Sequence, residues 1–284
     1  MTMPETIIPK SKDEALRFLN KKKCIILAGG TNLLAKTKKW SGGLSDFDSD
    51  IILIKHLQEL KNIQINKKYV SIGAGCTLTE LEKTIVLPKY FHEIILSMAS
   101  VTIRNAATIG GNICNVSSEG EILPLLYALD AYVIIESLSG TREVKISDFI
   151  LGPGKRDLKT EELLVEIRIP SNSLNSYYYK KVGTKKFPAL LKASFIGLYI
   201  LDGEKIFDIR MAFGAAGSRV VRSKELEDSL KGLNKEKLEI ILVDIEKEYV
   251  KIIVPIDDEK STAEYRKGVC LNLMREFLES IYSN

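Results

Sequence analysis

Histidine is close to absent from this chain: His56 and His92 are the only two in 284 residues. So few imidazoles leave little for general acid–base chemistry or for a histidine-built metal centre. Cysteine is scarce too, and Cys24, Cys76, Cys114 and Cys270 stand far apart with no Cys-x-x-Cys among them. A typical iron–sulfur cluster takes about four thiolates, so neither a cluster nor zinc is expected within this chain. The thiols fit a reduced, cytoplasmic protein. No apolar run reaches the roughly 18 residues of a membrane-spanning helix. Met1-Thr-Met-Pro-Glu-Thr6 has neither the basic nor the apolar region of a signal peptide, so nothing is expected to export or anchor the chain.

Charge of one sign is also lacking. The 41 basic and 37 acidic residues leave a net +4 that is spread along the chain, and nucleic acid is not implied. Lys21-Lys-Lys23 and Lys36-Thr-Lys-Lys39 are expected on solvated surface, although the second cluster lies close to a glycine turn. Two common nucleotide signatures are missing as well. Gly-x-x-x-x-Gly-Lys-Ser/Thr does not occur, and Gly73-Ala-Gly75-Cys-Thr-Leu78 lacks the third glycine of the dinucleotide pattern, which counts against ATP and a Rossmann-bound cofactor.

What is present is an ordinary globular balance, 45% hydrophobic and 27% charged. A chain of 284 residues exceeds the usual single core, so two or three subdomains are expected. Ser11-Lys-Asp-Glu14 is a capping box opening a helix near Lys12, and Cys24–Ala28 reads as a buried strand. An exposed loop over residues 40–50 precedes a strand at Ile51–Ile54. Thr77–Glu80 caps a helix expected to run to Leu87, where Pro88 stops it, and Glu93–Ala99 reads as a short helix. Ser118-Glu-Gly-Glu121 is a possible third box before Ile122–Leu129. Strands are expected at Tyr132–Glu136, Arg142–Ile146, Leu163–Ile169, Tyr177–Val182, Ser194–Asp202 and Lys205–Phe213, with Asp202-Gly203 as a hairpin signal. Helical spacing returns at Ser223–Leu230, Lys235–Glu248 and Thr262–Tyr282, the last with Tyr265, Val269, Leu273 and Phe277 near one face.

Two runs carry chemistry. Leu27-Ala-Gly-Gly-Thr-Asn-Leu-Leu34 is strand, glycine turn and helix start, a junction that leaves backbone N–H groups free for an anion, and a diphosphate is its natural guest. The unbroken run Ser100–Ser118 stacks Gly110 and Gly111 with small hydroxyls and amides, including Thr108, Asn112 and Asn115. It reads as a loop whose successive N–H groups point into one concavity.

Ala28-Gly-Gly-Thr-Asn-Leu-Leu34 and Ile103-Arg-Asn-Ala-Ala-Thr-Ile-Gly-Gly-Asn-Ile-Cys114, followed by Leu125-Leu-Tyr-Ala-Leu-Asp-Ala131, resemble the FAD-binding medium subunit of molybdenum hydroxylases, the xanthine dehydrogenase and carbon monoxide dehydrogenase family. The resemblance continues through Glu161–Pro170, Tyr179-Lys-Lys-Val-Gly183 and Phe213-Gly-Ala-Ala-Gly217 to Glu264-Tyr-Arg266, and so covers most of the chain. It implies an α+β fold: two α/β FAD-binding subdomains of the PCMH type over residues 1–56 and 57–172, then a C-terminal antiparallel sheet with helices over 173–284.

The resemblance also implies FAD, held non-covalently by Ala28, Gly29, Gly30, Thr31, Asn32 and Leu33 in one loop and by Thr108, Gly111, Asn112, Cys114 and Asn115 in the other. Glu121 falls where the family usually carries an aspartate that helps bind FAD; its other reading is the helix start of the capping box. Leu164, beside Leu163, matches positions against the flavin ring, and Lys181, with Lys180 as its rival, matches a lysine that approaches it. Val116-Ser-Ser118 and Phe187-Pro-Ala-Leu190 depart from the family pattern, so the site is expected to differ there. Arg104 is expected to close its own loop.

In function the resemblance implies an electron-transfer subunit without catalytic side chains of its own. A small partner subunit with [2Fe–2S] clusters would reduce the flavin, a large partner would carry molybdopterin, and NAD⁺ or another acceptor would take the electrons. A stand-alone flavin oxidoreductase and a scaffold that no longer binds FAD are the alternatives.

Overall fold

The computed structural model describes residues 4–37, 47–117, 120–171, 174–184 and 191–283. Most of the loop expected over residues 40–50, the stretch 187–190 and Ser118 lie outside them. In chain order the strands are β1 (Thr6–Ile7), β2 (Ile25–Leu27), β3 (Ile51–Leu53), β4 (Ile63–Ile65), β5 (Tyr69–Gly73), β6 (Tyr132–Ser137), β7 (Gly140–Lys145), β8 (Ile150–Gly152), β9 (Lys155–Arg156), β10 (Leu163–Pro170), β11 (Ser176–Gly183), β12 (Leu191–Asp202) and β13 (Lys205–Gly214). The helices are α1 (Lys12–Lys21), α2 (Leu33–Lys36), α3 (Leu78–Glu82), α4 (Lys89–Ser97), α5 (Val101–Ala106), α6 (Ile109–Asn115), α7 (Ile122–Ala128), α8 (Ile146–Phe149), α9 (Lys224–Leu230), α10 (Lys235–Ile252) and α11 (Ala263–Ser280). The mixed helix-and-sheet class is as expected.

Two compact units interleave along the chain. The first comprises Met1–Leu87, Met98–Val116 and Asp130–Ser171. Its three-stranded sheet has the order β1-β3-β2 and is parallel, and its five-stranded sheet, β4-β5-β10-β6-β7, is antiparallel throughout. Ser11 caps α1 by accepting from the Glu14 N–H. The apolar face of α1, Ala15, Leu16 and Leu19, then packs on Ile52, Ile54, Leu57 and Leu60 and on Ile134, Leu163 and Val165, so one core serves both sheets. Burying each large aliphatic side chain in such a core stabilises the fold by about 1.5–3 kcal/mol.

Three expectations for this unit change. Thr77 and Glu80 form the complete capping box, but α3 ends at Glu82 rather than Leu87. The β-branched run Thr84-Ile-Val86 follows, and such side chains crowd the preceding helical turn. The Ser100–Ser118 run is largely helical: Ser100 caps α5 and Thr108 caps α6, each hydroxyl accepting from the N–H three residues on. Its small hydroxyls thus serve the helices' own orphan donors. The strands β1 and β4 and the β8–β9 hairpin carry too few apolar residues to be seen in the sequence.

The second unit comprises Pro88–Ser97, Ser117–Leu129 and Asn172–Asn284. Here Pro88 precedes a helix rather than ending one, since α4 starts at Lys89. Strands β11-β12-β13 form an antiparallel sheet, with Gly203 at φ 58 turning the β12–β13 hairpin. Phe195, Phe213, Phe277 and Tyr249 fill the core under α10 and α11. Gly197 is required by close approach, because a Cβ there would stand 2.6 Å from the Phe277 ring. On α11 the buried face is Arg266, Cys270, Leu273, Met274, Phe277 and Leu278. Tyr265 is off that face, 49% exposed, with the Lys192 ammonium over its ring.

Candidate functional site

The first glycine run leaves β2 and turns into α2. Gly29 packs against the backbone of the second run so closely that a Cβ would meet Ala106 O at 2.1 Å, and Gly30 holds φ 71. Both positions therefore need glycine, one for space and one for conformation. The turn is closed by the Leu34 N–H donating to Gly30 O. The N–H groups of Gly29, Gly30, Thr31, Asn32 and Leu33 have no acceptor among the described residues, and Asn32 makes no side-chain cap. This is a run of backbone donors left open. Ala28, Gly29, Gly30, Thr31 and Leu33 are half-buried, and Asn32 is exposed.

The second run differs. Ile109 donates to Cys76 O, Gly110 to Ala74 O, Gly111 to Thr108 Oγ1 and Asn112 to Thr108 O. The first turn of α6 thus has protein acceptors, and the expectation that Gly110 and Gly111 jointly aim free N–H groups at an anion is corrected. Neither takes a positive φ. Gly110 is needed because α6 lies against β5's exit, where a Cβ would come within 2.7 Å of the Ala74 Cβ. Gly111 is exposed, and its Cβ would meet only Thr108 Oγ1, at 2.9 Å.

What this run offers instead is side chains. Asn112 Oδ1 is buried with no hydrogen-bond partner among the described residues. Asn115 Oδ1 accepts from Lys36 Nζ at 3.3 Å, which ties the end of α2 to the end of α6. The C-terminal carbonyls of α6 are held by the β8–β9 hairpin: Arg156 Nη1 donates to Cys114 O at 2.9 Å and the Gly154 N–H to Val116 O at 3.0 Å. Between them Val116 is forced to φ 46, an uncommon conformation for a β-branched residue. Burial pushes the Cys114 thiol up to about 11, so it stays a neutral thiol near neutral pH. Arg104 is buried and closes its own loop, its guanidinium on Met98 O, Ala99 O and Glu82.

Leu164 belongs to the same unit. It is 4% exposed on β10, opposite Ile135 of β6, and its neighbour Leu163 points to the α1 core on the other face of the strand.

Glu121 and Lys181 lie in the second unit and pair with each other, Nζ to Oε2 2.7 Å, each side chain 13% exposed. Lys181 Nζ also donates to Ser97 O at 3.0 Å. Ser97 Oγ stands 2.9 Å from Tyr179 OH and donates to Ile94 O. Burial pushes the Tyr179 hydroxyl far above its ordinary value. Strand alternation puts the two lysines on opposite faces of β11. Tyr177, Tyr179 and Lys181 reach Glu93, Ser97 and Glu121, whereas Lys180 pairs with Glu276 on α11. Glu121 occupies the N-cap position of α7 without a side-chain cap bond, and Ser118, where a box was expected to begin, lies outside the described residues. Sequence reasoning overlooked Ser97, Tyr179, Lys36 and Arg156. The i, i+2 spacing of Tyr179 to Lys181 was the signal for the tyrosine; Arg156 sits in a hairpin with no apolar pattern to announce it.

Residues 2–172 match the family model for the FAD binding domain in molybdopterin dehydrogenase, and residues 186–281 match that for the CO dehydrogenase flavoprotein C-terminal domain. The chain is 32% identical over 276 residues to the glyceraldehyde dehydrogenase medium chain of Sulfolobus acidocaldarius, covering 95% of each. It is 29% identical to the nicotinate dehydrogenase FAD-subunit of Eubacterium barkeri, over 84% of this chain and 83% of that one. Its fold matches a chain of the crystal structure of Cu,Mo-CO dehydrogenase with a TM-score of 0.86 at 24% identity, covering 97% and 96% of the two chains. With one family model spanning more than half of its length and a relative at 32% identity aligned nearly end to end, the chain belongs to the FAD-binding medium subunits of the molybdopterin dehydrogenase family.

Proposed function

We propose that this chain holds FAD non-covalently as the electron-transfer subunit of a molybdenum-cofactor hydroxylase or dehydrogenase. The observation that carries the reading is the series of open backbone donors from Gly29 to Leu33, joined through Lys36 to a second run that carries the unpartnered Asn112 Oδ1. These features fit the cofactor. A diphosphate satisfies several N–H groups at once, and a sugar or ribityl hydroxyl satisfies a lone buried amide oxygen.

In this reading Ala28, Gly29, Gly30, Thr31, Asn32 and Leu33 hold the diphosphate side, while Thr108, Gly111, Asn112, Cys114 and Asn115 line the other run. Thr108, 1% exposed, acts by capping α6 and so fixing where Asn112 and Asn115 stand. Leu164 and Lys181 are the residues proposed for the flavin ring, and Glu121 is proposed to help bind FAD. FAD supplies two-electron and one-electron redox chemistry when bound; the protein's part is to hold it and tune it. In this reading no acid–base pair of the chain is used. His56 bonds Pro9 O, and the cysteines are all pushed towards the neutral thiol.

The partners proposed are a small subunit with [2Fe–2S] clusters that delivers electrons and a large subunit with molybdopterin that acts on the substrate, with NAD⁺ as one acceptor. Purification of the native complex tests this. Co-purification of a cluster-bearing and a molybdopterin-bearing protein, with flavin bleached by NADH under anaerobic conditions, is expected. A flavin-loaded chain that turns over a small substrate with no partner present would replace this reading with the stand-alone one.

A further inference from the structure

Lys36 ties the two runs together but is given no contact with FAD above, and its sequence neighbourhood reads as solvated surface. Its ammonium nevertheless reaches across to Asn115 Oδ1 at 3.3 Å, and no carboxylate pairs with it among the described residues. An exposed hydrogen bond to a neutral amide gains little more than the ordering of a long lysine side chain loses, so that contact alone does not account for the arrangement. Arg156, a cation of β9 that also reaches α6, is accounted for: it caps a carbonyl at the C-terminal end of that helix.

The surroundings of Lys36 are short of an anion. Three residues before it stands the last of the open N–H groups, Leu33, and three residues before Asn115 stands the buried, unpartnered Asn112 Oδ1. All of these belong to the first unit. Several unmet backbone donors and one unpaired ammonium call for a ligand with more than one charged oxygen. An unmet acceptor beside them calls for a hydroxyl on the same ligand. A nucleoside diphosphate carries both.

We propose that Lys36 is a cationic ligand of the diphosphate, bridging the two glycine runs, and that it makes binding depend on the phosphate charge. The proposal rests on the reading that these runs hold FAD. The ammonium keeps its contact with Asn115, which positions it, and turns its remaining N–H groups to phosphate oxygens. Asn115 thereby acts through Lys36.

The test is calorimetric titration of the full chain, freed of flavin, with FAD and with ADP, which carries the diphosphate without the flavin. In Lys36→Gln both ligands are expected to bind roughly five- to tenfold more weakly at low salt, a loss of about the size of one charge-assisted contact. In about 1 M salt, where charges are screened within about 3 Å, the difference shrinks below twofold. Lys36→Arg restores binding, and the melting temperature of the ligand-free protein does not move. If the wild type binds FAD and ADP, and Lys36→Gln binds both as tightly with the same salt dependence, the proposal is overturned while the FAD reading stands. A Lys36→Gln protein whose ligand-free melting temperature falls overturns it too, since the lysine is then structural. A wild-type chain that takes up neither ligand removes the FAD reading and the proposal with it.

Discussion

Lys181 and Glu121 hold each other where most of each side chain is out of water. A buried ion pair contributes little over an apolar pair of the same shape, but removing one partner strands the other charge. Lys181→Met is therefore expected to destabilise the protein by about 1–3 kcal/mol, discounted from the fully buried case because 13% of each side chain remains exposed. Adding Glu121→Gln to that variant should recover more than half of the loss. A thermal double-mutant cycle reads this directly, and strictly additive effects would show that the two side chains do not interact in solution. The residue types at both positions were legible in the sequence. Their partnership was not, because 60 residues of chain separate them and nothing local links the start of α7 to the middle of β11.

At the scale of elements, Gly110 and Gly111 separate packing from binding. A Cβ on Gly110 meets β5's exit at Ala74, whose backbone cannot yield cheaply, so Gly110→Ala is expected to lower stability by about 1–3 kcal/mol. Gly111 is exposed and its Cβ meets only the Thr108 hydroxyl. Gly111→Val should still fold, with at most about 1 kcal/mol lost from a disturbed cap, yet lose flavin. Melting curves and flavin content on the same two preparations check both outcomes; a Gly111→Val protein with full flavin content puts the cofactor elsewhere. The Ser100–Ser118 run stood out in the sequence for its glycines, hydroxyls and amides, but it was not legible as helical. Ser and Thr are read as ligand donors when the helix they cap is too short to show periodicity, and α5 and α6 are only 6 and 7 residues long. By contrast α1, α10, α11 and the β12–β13 hairpin were legible because their apolar spacing or turn chemistry persists over many residues.

Across the whole molecule, several buried acids keep their protons. Burial pushes the Cys76 thiol up to about 11, the Cys270 thiol up to about 12 and the Tyr90 hydroxyl up to about 12. In the unfolded chain such groups ionise near 8.5 for cysteine and 10 for tyrosine. Between those values and the folded ones the unfolded state binds fewer protons, so stability falls as pH rises. The melting temperature is expected to be flat near neutral pH and to decline steadily above about pH 9; a curve still flat at pH 11 would contradict the burial of these groups. At the acid end, Arg142 holds the Glu162 carboxyl below the usual carboxylate range. That contribution is complete above the unfolded pKa of about 4.3 and is lost as pH falls below it.

The two-unit organisation was only half visible in the sequence. Local patterning marks where strands and helices begin, but Pro88–Ser97 and Ser117–Leu129 join the second unit through contacts made far along the chain. The central claim is that the first unit's glycine runs hold FAD, and the visible spectrum of the purified chain tests it most directly. The spectrum is recorded before and after denaturation, and the released cofactor is identified by chromatography. A yellow protein that releases FAD on unfolding is the predicted result. A colourless protein that also fails to take up added FAD would contradict the claim and leave the family fold serving as a scaffold.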